Sequence, residues 1–220
     1  MFVRGTPLNL GTVPRFSTSI MAHYNQTFLR RKELEDLGVT CDGDHVHVHS
    51  SCILIHPERL RLGNHVRIDP FCIISAAGGI AIGQYVHVGA YTNLSGAAGI
   101  VVEDFAGISL GVRIFTVTED LSGRYLVNPT IPAPFRKVKS GPVRMEKFSG
   151  VFAGVIILPG VTIAEGAMIG AGSLVRKNVP EWEIWFGVPA KRISGRRKDL
   201  VGLADDCVAA GDAEAETLID

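Results

Sequence analysis

Between residues 42 and 121 the apolar positions of the chain recur every twenty residues. Written as four copies, DGDHVHVHSSCILIHPERLR, LGNHVRIDPFCIISAAGGIA, IGQYVHVGAYTNLSGAAGIV and VEDFAGISLGVRIFTVTEDL, the sequence sets Val48, Ile68, Val88 and Ile108 in one column and Leu54, Ile74, Leu94 and Ile114 in another. Leu62, Ile82 and Val102 open the last three copies, and small or β-branched residues precede the first two columns by two positions: Val46, Val66, Val86, Ala106, and Cys52, Cys72, Thr92, Val112. The inward positions therefore step by six, six and eight, which fits three short strands and three corners with a two-residue insertion at Gly79-Ile80 and Gly99-Ile100. After a break the rhythm resumes without insertion at Met145, Val151, Ile157, Ile163, Ile169 and Val175, with Ser149, Val155, Val161, Ala167 and Ser173 as the small partners. Each repeat can bury its apolar face only by stacking on the next, and a six-residue period predicts an all-β solenoid, a parallel β-helix.

The flanks depart from this rhythm. Residues 25–37 read as a helix, with Phe28, Leu29, Leu34 and Leu37 among charged residues and Gly38 closing it. Such a helix would cap the open end of the first coil. Residues 1–21 hold prolines, glycines and serines with no apolar run long enough for a signal peptide or a membrane span, and read as an arm in which Met21 is a candidate natural start. Residues 116–142 leave the solenoid, and an excursion of that length inside a compact domain is usually functional or disordered. A short basic helix is expected over 194–203, then a disordered acidic tail over 204–220. The expected organisation is an arm and capping helix at 1–41, the β-helix at 42–193, and a C-terminal helix and tail at 194–220.

With 22 basic and 22 acidic residues, neither the footprint of a nucleic-acid binder nor a trap for charged substrates is visible. Cys41, Cys52, Cys72 and Cys207 lack metal-type spacing, and Cys52 and Cys72 fall in one inward column as small buried thiols, in keeping with a reducing cytoplasm.

The outward columns carry the candidate chemistry. His45, His65, Tyr85 and Phe105 share a corner position, and His47, Arg67, His87 and Gly107 share an outward strand position. Stacked histidines invite a zinc reading, but Arg67, a permanent cation, separates His47 from His87, so no metal is expected.

The stretches GNHVRID at 63–69, VHVGAY at 86–91, SGRYLVNPT at 122–130 and GVPAK at 187–191, in that order, resemble the hexapeptide-repeat acyltransferases, and within them a bacterial sugar acetyltransferase subgroup related to galactoside acetyltransferase. The resemblance implies a left-handed β-helix, an exception to the right-handed crossover rule. It also implies acetyl-CoA as acyl donor, a sugar acceptor that is nucleotide-linked and destined for bacterial surface polysaccharide, a cytoplasmic location, and a homotrimer with sites at the subunit seams. On this resemblance His87 is the catalytic base, and Arg67, Tyr91, Asn93, Glu119, Asp120, Arg124 and Asn128 are candidate sugar-binding residues. The coenzyme would lie along Gly111, Ala153, Gly154, Ala171 and Gly172, with Arg176, Lys177, Pro189 and Lys191 nearby, because a backbone without bulk lets a thin arm lie close. A corner amide near Gly111 or Gly154 would hold the thioester oxyanion. The sequence departs from galactoside acetyltransferases at Thr118-Glu119-Asp120, where those relatives carry a histidine, and at Phe148, where histidine is common. Both departures put weight on His87. O- and N-acetylation stay open, as do a non-catalytic β-helix binding module and a zinc lyase resembling gamma carbonic anhydrase.

Overall fold

The computed structural model describes residues 28–210. The expected arm, its candidate start Met21, and the end of the acidic tail lie outside the described residues. Within them the chain winds through three parallel sheets. Face A stacks Val46–His49, Val66–Ile68, Val86–Val88, Gly107–Ile108, Gly150–Val151 and Met168–Ile169. Face C runs from Ile53–Ile55 to Leu174–Val175, and face B from Thr40–Cys41 to Thr162–Ile163. Pairing is in register, with Val46 against Val66 and Arg67 against His87, so each hexad column becomes a row of side chains along the solenoid. The inward columns form one continuous core in which Val48, Ile68, Val88, Ile108, Ile157 and Ile169 are fully buried. Cys52 and Leu54 are less covered, because their strand is the last of face C and has a neighbour on one side.

The corner between faces B and A carries a ladder of rings. His45, His65, Tyr85, Phe105, Phe148 and Trp182 follow one another at centroid separations of 4.7, 4.4, 4.8, 5.5 and 6.4 Å. From His65 to Trp182 all five adopt left-handed backbone, φ 53 to 61°. That conformation is costly for a residue with a Cβ, and here ring stacking along the ladder offsets it.

The N-terminal helix is shorter than the pattern predicts. Helix α1 spans Arg31–Asp36, and Phe28–Leu29 is instead a strand running antiparallel to Val46–His49. Pairing the exposed edge of face A satisfies backbone groups that a longer helix would leave open. The Arg30 amide donates to the Glu33 carboxylate at 2.9 Å, Leu34 is fully buried against the first coil, and Gly38, at φ 96°, ends the turn.

The excursion is an ordered arm. Val117–Glu119 pairs antiparallel with Val138–Ser140, and a 3₁₀ turn follows Pro132 at Ala133–Phe135. The buried Thr116 hydroxyl roots the stem, donating to the Ser95 carbonyl at 2.8 Å and accepting the Ala98 amide at 2.9 Å.

At the far end, Glu183–Gly187 and Ala190–Gly195 form a hairpin around the GVPAK segment. The C-terminal helix expected at 194–203 is present but starts later and runs further: the strand continues to Gly195, and helix α2 occupies Leu200–Ala210, overlapping the expected helix at 200–203 and extending into the stretch expected to be a disordered tail. The basic residues are used elsewhere. The Arg196 guanidinium donates to the carbonyls of Phe148 and Gly166 at 2.7 and 2.9 Å, and Lys198 lies 4.9 Å over the Trp182 ring. Ala204 of α2 packs on Phe148 and Trp182, covering the end of the ladder.

Candidate active site

The outward row of face A reads His47, Arg67, His87, Gly107, Gly150, Met168. Two successive coils thus present no side chain, and the row is notched there. A cavity of about 400 Å³ fills the notch, lined by the polar side chains of Asp69, His87 and Ser109 and the apolar ones of Leu110, Phe152 and Met168.

Asp69 joins the row at its polar end. His87 Nε2 lies 2.8 Å from Asp69 Oδ2, and Arg67 Nε donates to Asp69 Oδ1 at 2.9 Å. Partial burial pushes the Asp69 carboxyl up, yet the hydrogen bonds from His87 and Arg67 outweigh it and hold the group below its ordinary value. A carboxylate can only accept, so the proton of neutral His87 belongs on Nε2 and the lone pair on Nδ1. This is the orientation a general base needs: one nitrogen fixed by a carboxylate, the other left basic. The inward column braces the pair from behind. Cys52 Sγ donates to the Asp69 carbonyl at 3.2 Å, Cys72 Sγ to the Gly89 carbonyl at 3.3 Å, and the Thr92 hydroxyl to the Ser109 carbonyl at 3.1 Å. The hydrogen bond with Cys52, together with burial, raises the Cys72 thiol, which stays protonated.

No family model matches the sequence. AntD, an N-acyltransferase from Bacillus cereus solved with dTDP and 3-hydroxybutyryl-CoA, superposes with a TM-score of 0.80 at 36% identity, over 84% of this chain and 98% of AntD. A single-residue variant of AntD solved with dTDP-4-amino-4,6-dideoxyglucose and coenzyme A gives the same TM-score of 0.80 at 35% identity, over 84% of this chain and 99% of AntD. The chain belongs to the hexapeptide-repeat acyltransferases. Among curated proteins, the dTDP-4-amino-4,6-dideoxy-D-glucose acyltransferase of Escherichia coli is 40% identical over 100 residues, 46% of this chain and 52% of that protein. The match spans about half the length of that relative.

In this acyltransferase the corner beside the cavity changes character along the solenoid. Its left-handed residue is Phe71, then Tyr91, then Gly111, Gly154 and Gly172, with φ between 61 and 69° throughout. Tyr91 stacks on Phe71 at 5.2 Å, and beyond it the corner is bare: no atom stands within 4 Å of where a Cβ would lie at Gly154 or Gly172. Gly111, Ala153, Gly154, Ala171 and Gly172 therefore form an open track against the cavity wall. The oxyanion donor is expected near Gly111 or Gly154. The amides of Gly111 and Gly154 already donate to the Ala90 and Leu110 carbonyls at 2.8 and 2.9 Å, to continue the ladder between coils. The amides one residue earlier, at Leu110 and Ala153, make no hydrogen bond among the described residues. Ser173, just past the track, points inward as its column predicts and donates to the Gly170 carbonyl at 2.6 Å.

At the end of the track Arg176, Lys177, Pro189 and Lys191 line a second cavity of about 240 Å³ with Trp185 and Arg192. Arg192 is bound to Glu183 at 2.8 Å, which leaves Arg176, Lys177 and Lys191 as cations without a carboxylate partner among the described residues. These basic residues and the bare corner suit the phosphates and thin arm of coenzyme A.

The remaining candidate residues do not converge on His87 within one chain. Asn93 lies on face C, where Ser95 donates to its Oδ1 at 2.7 Å. The excursion leaves between faces C and B, so its residues stand away from the cavity. Glu119 is paired with Arg136 at the hairpin stem, and Glu119 Oε2 and Arg136 Nε are buried without a hydrogen-bond partner among the described residues. Asp120 accepts the Ser122 amide at 2.8 Å, Asn128 accepts from Thr130, and Arg124 is exposed. Sequence reading missed Asp69, the glycine notch and its apolar walls. The available signal was a carboxylate at the outward position just past the inward residue, one coil before His87.

Proposed function

We propose that the protein is an acyl-CoA-dependent N-acyltransferase that acylates the amino group of a nucleotide-linked amino sugar, with acetyl-CoA as the simplest donor, in the cytoplasm and in the service of surface polysaccharide. The observation that carries this reading is the Asp69–His87 pair in a cavity that adjoins the glycine track. AntD, bound to dTDP-4-amino-4,6-dideoxyglucose and coenzyme A, and the Escherichia coli acyltransferase support the choice of a dTDP-amino sugar and of N- over O-transfer.

The coenzyme supplies an activated thioester. His87 Nδ1 takes the proton from the sugar amine as its nitrogen attacks the thioester carbonyl carbon, and Asp69 stabilises the imidazolium so formed. The Leu110 or Ala153 amide donates to the carbonyl oxygen as it becomes anionic. The new C–N bond then displaces the C–S bond, and His87 returns the proton to the departing sulfur. Arg176, Lys177 and Lys191 hold the coenzyme phosphates. We further propose a homotrimer, the common way to bury a row of outward apolar residues by closed symmetry. Ile53, Ile55 and Ile73 form such a row on face C, and all three are exposed in the single chain. In a trimer the excursion of one copy, with Glu119, Asp120, Arg124 and Asn128, would meet the His87 cavity of the next.

The test is thiol release from acetyl-CoA in the presence of dTDP-4-amino-4,6-dideoxyglucose, with mass spectrometry of the sugar product. The expected product carries an amide. No thiol release from any acyl-CoA with any dTDP-amino sugar overturns the reading.

A further inference from the structure

We propose that the notch in face A is the acyl subsite, and that Gly107 and Met168 set the length of the acyl group, so that the natural donor carries a chain longer than acetyl. This rests on the N-acyltransferase reading and specifies its donor.

Three observations carry it. The first is room. The cavity of about 400 Å³ extends well past His87, over Gly107 to Met168, and the two carbons and one oxygen of an acetyl group fill little of it. The second is its floor. Gly107 sits in an ordinary strand pair with His87 on one side and Gly150 on the other, and its φ is not positive. No atom stands within 4 Å of where its Cβ would lie. Neither backbone conformation nor close packing requires glycine there, so the missing side chain serves the space above it. At Gly150 a Cβ would meet Met168 Cε at 2.8 Å, because the Met168 side chain lies across that glycine and closes the far end of the notch. Methionine is unbranched and adaptable, which suits a movable end wall.

The third observation is chemistry. The lining side chains that carry polar groups are Asp69, His87 and Ser109, the last on the coil of Gly107, and the rest of the wall is Leu110, Phe152 and Met168. A hydroxyl-rich sugar ring placed there would lose most of its hydrogen bonds to water, with the Ser109 hydroxyl as the one lining side chain over Gly107 able to replace any of them. A hydrocarbon chain would not. The glycine track reaches the cavity beside Leu110 and Phe152, so a thioester arriving along it would direct its acyl group over Gly107.

The experiment compares kcat/KM for acetyl-, butyryl- and hexanoyl-CoA in the wild type, Gly107→Val, Gly107→Ala and Met168→Ala, with folding checked by circular dichroism. One methylene in an apolar pocket changes kcat/KM by about 10- to 200-fold. The wild type is therefore expected to use butyryl-CoA at least as well as acetyl-CoA. Gly107→Val should lower the butyryl-to-acetyl ratio at least tenfold, with Gly107→Ala between it and the wild type, and Met168→Ala should raise the hexanoyl-to-butyryl ratio. Acetyl-CoA turnover with butyryl-CoA below a tenth of it, or a folded Gly107→Val protein with an unchanged ratio, overturns the acyl subsite and leaves the N-acyltransferase reading standing. Absence of turnover with every thioester, together with no thioester binding by calorimetry, removes that reading and this inference with it.

Discussion

Asp69 and His87 are eighteen residues apart in sequence and 2.8 Å apart in space, because one turn of the solenoid sets the end of one strand diagonally below the middle of the next. The same carboxylate also holds Arg67, so one group fixes two outward side chains of face A.

Replacing His87 with alanine or asparagine is expected to lower kcat at saturating substrate by about 10²- to 10⁴-fold, the usual contribution of a general base. The side chain points outward and opens no core cavity, so stability should change by no more than about 0.5 kcal/mol. Replacing His65, a ring of the corner ladder, should leave far more activity. Thermal melts and steady-state kinetics on the two variants check both statements, and a dead His65 variant beside an active His87 variant would show that the base is elsewhere.

The Asp69 carboxyl is held below its unfolded value, which is about 3.9 for an aspartate. Its contribution to stability is therefore present above that unfolded value and is lost as pH falls through the lower, folded one. Asp69→Asn should flatten this part of the acid limb of a stability-versus-pH curve. At neutral pH it should also lower kcat, because an amide can present its N–H to His87 and favour the wrong tautomer. Chemical denaturation across the acid range, set beside a pH–rate profile, separates the two effects.

Much of the fold was legible because a solenoid writes each contact at a fixed interval. Val48, Ile68, Val88 and Ile108 are columns on paper and a row in the core for the same reason. Termination was harder to read. Phe28 and Leu29 have helical spacing with Leu34, yet an unpaired sheet edge recruited them as a strand. Arg196 and Lys198 read as one basic helix face and are spent instead on two carbonyls and a ring. His87 could be found through its neighbours in sequence, whereas Asp69, two residues after Arg67, reads as an ordinary surface ion pair until the coils are stacked. The glycines at 107 and 150 follow the same logic, since an absent side chain becomes a cavity only when its neighbours above and below are known.

Trp182 closes the ring ladder and is almost fully buried among Phe148, Ala204 and Lys198. Trp182→Ala should cost about 3–5 kcal/mol, as for other large-to-small changes in packed sites. Helix α2 would lose the surface it rests on, so limited proteolysis of the variant should cut near residue 200 first. An unchanged melting temperature would mean the ladder contributes little.

Coenzyme binding should depend on the basic end of the track. Arg176→Ala and Lys177→Ala are expected to raise KM for the thioester severalfold to tenfold with a smaller change in kcat, because they hold a part of the donor remote from the reacting bond. The effect should shrink with rising salt, as charge-assisted contacts near the surface are screened over about 8–10 Å. Equal losses with a donor that lacks the terminal phosphates would show that these side chains act on something other than phosphate.

The last prediction concerns how the two halves of the site meet. His87 and its cavity lie on face A, while Glu119 leaves between faces C and B and cannot reach His87 in the same chain. If the proposed trimer brings the excursion of one copy to the cavity of the next, the site is completed only between copies. Light scattering should then give the mass of three chains for the active protein. A stronger check follows from the geometry. Trimers of His87→Ala alone and of Glu119→Gln alone should both be weak, since every seam carries a lesion. Trimers reassembled from an equal mixture should regain activity, because some seams then pair an intact His87 with an intact Glu119. Random assembly leaves one seam in four with both groups intact, so recovery should approach about a quarter of wild-type kcat. A monomeric active protein, or a mixture no better than the mean of its two parents, would place the whole site within one chain and assign Glu119 to the stem of the hairpin, where it pairs with Arg136.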